Sequence, residues 1–242
     1  MKNQRNKLLA PRRGCKDIWN AEKLKDAHFG KYDIVDCPTT AHAIPSKLIT
    51  YEEALNIYHQ ELKRRHINFS YDAFVIFSID DYKFDKGING IWEHVDRSLK
   101  ILKHFRGIIT PDFSTYIDFP EPIKLYNTFR MRAYGYIAGK IGLEVINNVR
   151  WDASNNYDYC FVGIPKNSIV LVATVASQLR IKENYPQYEE GFWRMIKELS
   201  PRIILVYGSA NYPCFEKAKE LGIDIRPYPG STASYFKEHK DE

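Results

Sequence analysis

The sequence predicts an α/β fold in which a mostly parallel sheet alternates with helices, arranged as an incomplete or irregular (β/α) barrel, with an open doubly wound sheet as second choice. Three observations predict it. Short runs such as AFVIFSI (73–79) and IVLVATV (169–175) are almost wholly apolar, as strands covered on both faces are. Stretches with helical spacing of apolar residues separate them. The unit of strand, polar turn and helix then recurs, which implies right-handed parallel crossovers. Periodicity alone does not separate a closed barrel from an open sheet.

The first predicted strand is YDIVDC (32–37), stopped by Pro38. A helix follows: Thr50 and Glu53 form a capping box, and Ala54, Leu55, Ile57, Tyr58 and Leu62 carry the helical period to about His66. After the strand Ala73–Ile79, the residues Trp92, Val95, Leu99, Leu102 and Phe105 line one face of a second helix. Gly107 opens the strand GIIT, and the turn PDFS ends it. Pro120 and Pro122 suit a first helical turn, where a missing N–H needs no partner, and announce a helix that stops near Gly142. The strand LEVINNV, the polar loop DASNNYD and the strand Ile169–Val175 come next, then the helix GFWRMIKEL, the strand IILVYG, a short helix at 216–221 and the strand IDIRPY.

With 242 residues the chain suits one large domain, expected at 31–230, between a basic N-terminal arm (1–30) and a solvated tail (231–242). The net charge is +5, and six basic residues fall within the first 16, which suits a phosphate-seeking arm or a solvated terminus. Four dispersed cysteines make no CxxC pair, so neither a zinc ribbon nor a disulfide framework is expected, and a reducing cytoplasm fits best. No apolar run reaches the roughly 18 residues of a membrane span, and no secretory signal is read at the start.

In either architecture ligands bind at the carboxyl ends of the strands. Reading those ends in order gives Asp80 and Asp81, then Asp112 and Ser114, then Asn147, Asn148, Trp151 and Asp152, then Thr174 and Ser177, and finally Tyr207, Gly208 and Ser209. Adjacent Asp80 and Asp81 diverge on an extended chain, so one of them at most faces a cavity and the other caps a turn. With Asp112 and Asp152, such carboxylates suit an acid and base pair, or oxygen ligands for Mg²⁺ or Mn²⁺, Asp80 and Asp112 being the first expected ligands. Asp is also simply a favoured turn residue. Asn127 and Arg130 share a helix face, so they are read either as a clamp for a carboxylate or phosphate, or as partners of one of the aspartates. Arg132 stands two residues on. Trp151 and Tyr126 are read as stacking walls, with Ser114, Arg132 and Tyr207 as further substrate contacts. The histidines show no ligand spacing, and Cys160, in YCFVG, reads as a small buried hydrophobe.

The ordered motifs IDDYKF, IW, GIITPDFSTY, YNTFRMRA, VINNVRW, YDYCFVGIPKNSIV and LVYG resemble the domain of unknown function (DUF) 4417 family, over roughly residues 30 to 210. The resemblance implies occurrence in bacteria, phages and mobile elements, and brings no established activity. It marks Asp80, Asp81, Trp92, Asp112, Ser114, Asn127, Arg130, Arg132, Trp151, Gly163 and Tyr207 as motif positions. Asn147 stands where the family pattern has proline, and Ala176 where it has glycine, so the two turns there need not be shaped as in relatives.

Three functions compete. One is an enzyme with a carboxylate-rich site acting on a polar or phosphorylated small molecule. Another is a nucleic-acid-binding accessory protein using the basic arm and exposed aromatics. A third is an interaction protein without a site.

Overall fold

A computed structural model describes residues 14–152, 157–175, 177, 179 and 181–230. The predicted arm up to residue 13, the tail at 231–242 and the departure at Ala176 lie outside the described residues. Seven parallel strands form one sheet in strict chain order: β1 (Leu48–Thr50), β2 (Tyr71–Ile76), β3 (Phe105–Ile109), β4 (Glu144–Asn148), β5 (Ile169–Ala173), β6 (Ile203–Tyr207) and β7 (Asp224–Tyr228). The sheet curls into a half-barrel. Because the order never reverses, there is no topological switch point, and the doubly wound alternative is set aside.

Among the described residues five α-helices lie between strands: α1 (Tyr51–Lys63), α2 (Val95–Leu102), α3 (Glu121–Lys140), α4 (Tyr185–Leu199) and α5 (Pro213–Glu220). All pack on one face. Val75, Phe77, Ile108 and Val145 are buried with residues of α1, α2 and α3. Val170, Val172, Ile204 and Val206 are buried with α4 and α5. The alternate residues Phe74, Ile76, Ile109, Ile146, Ile169, Leu171, Leu205 and Tyr207 cluster with Ala41, Ile44 and Leu48 and with no helix residue. The period-two side-chain alternation of a strand therefore splits one continuous apolar run between two cores, the helix-covered convex face and the concave face.

The strands are staggered at β4. Its first half pairs with β3 (Ile108 with Val145), while its last two residues pair with β5 (Asn147 with Val170, Asn148 with Leu171). The edge of β4 left free by this offset is taken by the segment before β1. Thr40 donates its N–H to the Val145 carbonyl at 2.9 Å, Val145 donates back to the Thr40 hydroxyl, and Asn147 Nδ2 donates to the Cys37 carbonyl at 2.8 Å. Gly107 is required where the two layers meet, since a Cβ there would lie 2.6 Å from the Phe74 ring.

The structure corrects two sequence expectations. YDIVDC is not a strand: Tyr32 and Asp33 have φ of 58° and 57°, and Val35 makes a single antiparallel bridge with Phe29. Its apolar pair Ile34 and Val35 is buried instead beneath the loop at Gly163, whose carbonyl accepts from the Cys37 N–H. The first strand is Leu48–Thr50, three residues too short to show a period. The second helix is confined to α2. Trp92 precedes it, its indole N–H shared between the Ile18 carbonyl and the Tyr126 hydroxyl, and Phe105 already belongs to β3. The capping box at Thr50 and Glu53 is present with both reciprocal bonds. No described helix is long and apolar enough to cross a membrane.

Candidate functional site

At the carboxyl ends of β3, β4 and β5 lies a cavity of about 310 Å³. The loop after β3 contributes Asp112, Thr115, Tyr116 and Ile117, and β4 and its extension contribute Asn148 to Asp152. The end of β5 adds Ala173 and Ser177, and the approach to α4 with its first turn adds Asn184, Gln187 and Tyr188. Such a position follows from the fold, because the concave apolar core fills the half-barrel only up to Ile109, Ile146 and Leu171, and the next inward residue of β4 is Asn148.

The central ion pair is Arg150 with Asp112. Arg150 Nη1 donates to Asp112 Oδ1 at 3.1 Å, their side chains being 18% and 6% exposed. Burial alone would lower the Arg150 pKa, but the adjoining Asp112 carboxylate outweighs it, with smaller help from Tyr116 and Asp81, and holds it above the ordinary value. The Arg150 guanidinium also lies over the Tyr116 ring, 5.3 Å from its centroid.

Asn148 is the unusual residue. It is 2% exposed, and neither Nδ2 nor Oδ1 of its side chain has a hydrogen-bond partner. The hydroxyls of Thr115 and Tyr188 are likewise buried without partners. Trp151 forms a wall against Tyr188, with ring centroids 5.1 Å apart, and packs so closely on α4 that only glycine fits at position 191.

Beside the cavity, Lys124 is buried between two carboxylates. Its ammonium bonds Glu121, and Asp152 at 3.0 Å, while Tyr159 donates its hydroxyl proton to Glu121 at 2.8 Å. Burial pulls the Lys124 pKa down, and the two carboxylates more than compensate and leave it raised. The same ammonium holds the Glu121 pKa below its usual value.

The other sequence-predicted residues are placed as follows. Asp80 is exposed in the turn after β2 and does not line the cavity. Asp81 accepts from both the backbone N–H and the hydroxyl of Ser114, at 3.1 and 2.9 Å, so it locks the loop that carries Asp112. Asn127 donates to the Ser114 carbonyl and accepts from Arg130 Nη2 at 2.6 Å. Arg130 Nη1 pairs with Asp85 at 2.6 Å, and its guanidinium centre sits 3.9 Å from the Phe113 ring centroid. The Arg130 and Asn127 pair is thus engaged inside the protein, with an aspartate other than those predicted. Burial nevertheless leaves the Asp85 pKa raised, the Arg130 charge offsetting it only in part.

Arg132 is 0% exposed and donates to three backbone carbonyls, Cys160 at 2.8 Å, Val162 at 3.1 Å and Asn148 at 3.2 Å. It builds the wall behind Asn148 rather than facing the cavity. Tyr126 hydrogen-bonds the Ile18 carbonyl at 2.6 Å away from the cavity, and Tyr207 closes the concave core. Cys160 is buried, and desolvation raises its thiol pKa. Among the described residues no group of three or more His, Cys, Asp and Glu is placed to hold a metal ion. Of the strand-end residues read from the sequence, Asp112, Asn148, Trp151, Asp152 and Ser177 line the cavity. Arg150, Thr115, Tyr116, Gln187 and Tyr188 also line the cavity and are not singled out by the sequence; the one local signal for Arg150 is a basic residue two positions after the polar end of a strand.

Against known proteins, the chain is 27% identical over 190 residues to the "Gene 1 protein" of Mycobacterium phage D29, covering 76% of this chain and 68% of that protein. It is 29% identical over 154 residues to the "Gene 1 protein" of Mycobacterium phage L5, covering 63% of each. The aligned part therefore spans about two thirds of these relatives' length. No solved structure matches. The Domain of unknown function (DUF4417) family matches residues 29–229, which contain the half-barrel and every residue of the cavity, and the chain belongs to that family.

Proposed function

We propose that the protein binds a small polar molecule in the cavity at the ends of β3, β4 and β5 and acts on it by acid–base chemistry, with Asp112 as proton acceptor and Arg150 as the charge that holds it in place. The observation that carries the reading is Asn148, whose buried carboxamide has both its donor and its acceptor unmet. Leaving a buried polar group unsatisfied costs about 1–3 kcal/mol, so a ligand that meets both would recover that cost on binding. The cavity volume, about 310 Å³, lies at the lower end of the roughly 300–1,000 Å³ of small-molecule sites.

Thermal-shift scans of the purified protein and of Asn148→Leu, against polar metabolites, Mg²⁺, Mn²⁺ and single-stranded oligonucleotides, test this. A small molecule should raise the Tm of the wild type and not of the variant. At a hundredfold excess over Kd the expected stabilisation is about 2.7 kcal/mol. A shift with Mn²⁺ that disappears in Asp112→Asn would support metal ligation through Asp112, although Arg150 already occupies one Asp112 oxygen and competes with a cation. A shift with oligonucleotides alone, confined to low salt and the same in Asn148→Leu, would replace this reading with nucleic-acid binding.

A further inference from the structure

We infer that the molecule bound in this cavity presents a flat heteroaromatic edge with a hydrogen-bond donor beside an acceptor, the chemistry of a nucleobase. The inference rests on the small-molecule reading above and narrows its occupant.

Asn148 decides the polarity of the ligand. Both Nδ2 and Oδ1 lack partners, so exchanging the two atoms changes nothing: the site offers one donor and one acceptor side by side. A phosphate or carboxylate would satisfy the donor and set a negative oxygen against Oδ1. An ammonium group would do the reverse. A nucleobase edge carries both complements in one plane, which is why a carboxamide pairs bidentately with adenine in nucleic-acid recognition.

The walls decide the shape. Tyr116, Trp151 and Tyr188 bring three aromatic rings to the lining. A flat ring stacked on such a side chain strengthens binding by roughly ten- to a hundredfold, whereas an aliphatic amide of the same hydrogen-bonding pattern gains much less. Arg150, which lines the same cavity, supplies a positive charge to a phosphate attached to the base.

Isothermal titration calorimetry on the full chain with AMP, GMP, CMP, UMP, ribose 5-phosphate and glutamine tests the inference. At least one nucleotide should bind, while ribose 5-phosphate, which lacks the base, and glutamine, which lacks the ring, should not. Asn148→Leu should weaken nucleotide binding tenfold or more. Tyr116→Ala, at a residue 49% exposed and so tolerant of truncation, should weaken it about tenfold. Equal binding of ribose 5-phosphate and the nucleotides, unchanged by Asn148→Leu, would overturn the base while leaving an anion-binding cavity. Binding of glutamine or another non-aromatic polar compound alone, lost in Asn148→Leu, would overturn the base and retain the cavity reading. Failure of every nucleotide overturns the inference, and the proposed function falls with it only if the polar metabolites also leave the Tm of the wild type unchanged.

Discussion

Arg150, two residues beyond β4, donates to Asp112, three residues beyond β3, at 3.1 Å, and the pair ties together the two loops that form one side of the cavity. The two partners are unequally buried, which makes the consequences of removing them unequal. Arg150→Met strands a carboxylate that is 6% exposed, and should destabilise the protein by about 2–4 kcal/mol. Asp112→Asn leaves a guanidinium with some access to water and over the Tyr116 ring, and should cost about 1 kcal/mol. Urea denaturation of both variants and of the double variant measures this, and a coupling energy near zero would show that the pair is not formed.

Gly191→Ala tests the wall formed by Trp151. A Cβ at position 191 would lie 2.1 Å from an indole carbon, so the indole must move into the cavity or α4 must shift outward. Overpacking of this kind costs about 1–3 kcal/mol. The expected readout is a lower Tm together with a change in tryptophan fluorescence, since Trp151 is the ring displaced. A Tm within a degree of wild type would mean that α4 does not pack on Trp151 as described.

These two contacts show what was legible in the sequence. The repeating strand and helix units, the concentration of polar residues at strand ends and the capping box at Thr50 all follow from local pattern, and the half-barrel carries each of them. Asp112 and Trp151 were legible for the same reason: they follow strands in a fold whose ligands bind at strand ends. The partners were not. Arg130 pairs with Asp85, 45 positions away, and Arg150 with Asp112, 38 away, and no periodicity encodes which of several aspartates a loop arginine will meet. The segment 32–37 looks like a strand in sequence because two adjacent buried apolar residues look alike whether a sheet or a crossing loop buries them. Asn148 reads as one of two equivalent asparagines, and the parity that turns it inward, while Asn147 bonds Cys37, depends on the β4 register.

Arg132 is a cation held without a carboxylate. Its three donors go to the carbonyls of Asn148, Cys160 and Val162, and burial lowers its pKa from the ordinary arginine value to about 10. A lysine has one nitrogen and cannot span three carbonyls set around a planar fork. Arg132→Lys should therefore destabilise nearly as much as Arg132→Met, by about 3–5 kcal/mol, because both leave buried carbonyls unpaired. Chemical denaturation decides it, and near-wild-type stability of the lysine variant would show that charge alone, rather than the fork, is what the site needs.

The cluster of Lys124, Glu121 and Asp152 makes a prediction about pH. The Lys124 ammonium depresses the Glu121 pKa below its usual 4.5, so the stabilisation from that pairing is fully present above pH 4.5 and is lost as pH falls through the lower folded value. Glu121 is 47% exposed, and its own share is therefore small. The larger effect comes from the buried side: Lys124→Met removes the ammonium from the Asp152 carboxylate, which is 6% exposed, and should cost about 3 kcal/mol near neutral pH. The part of the difference between wild type and Lys124→Met that comes from the Glu121 pairing should consequently be lost as pH falls below 4.5. Denaturation curves of both proteins between pH 7 and pH 3 measure it. A difference that stays constant over that range would mean that the Lys124 ammonium does not hold the Glu121 carboxylate.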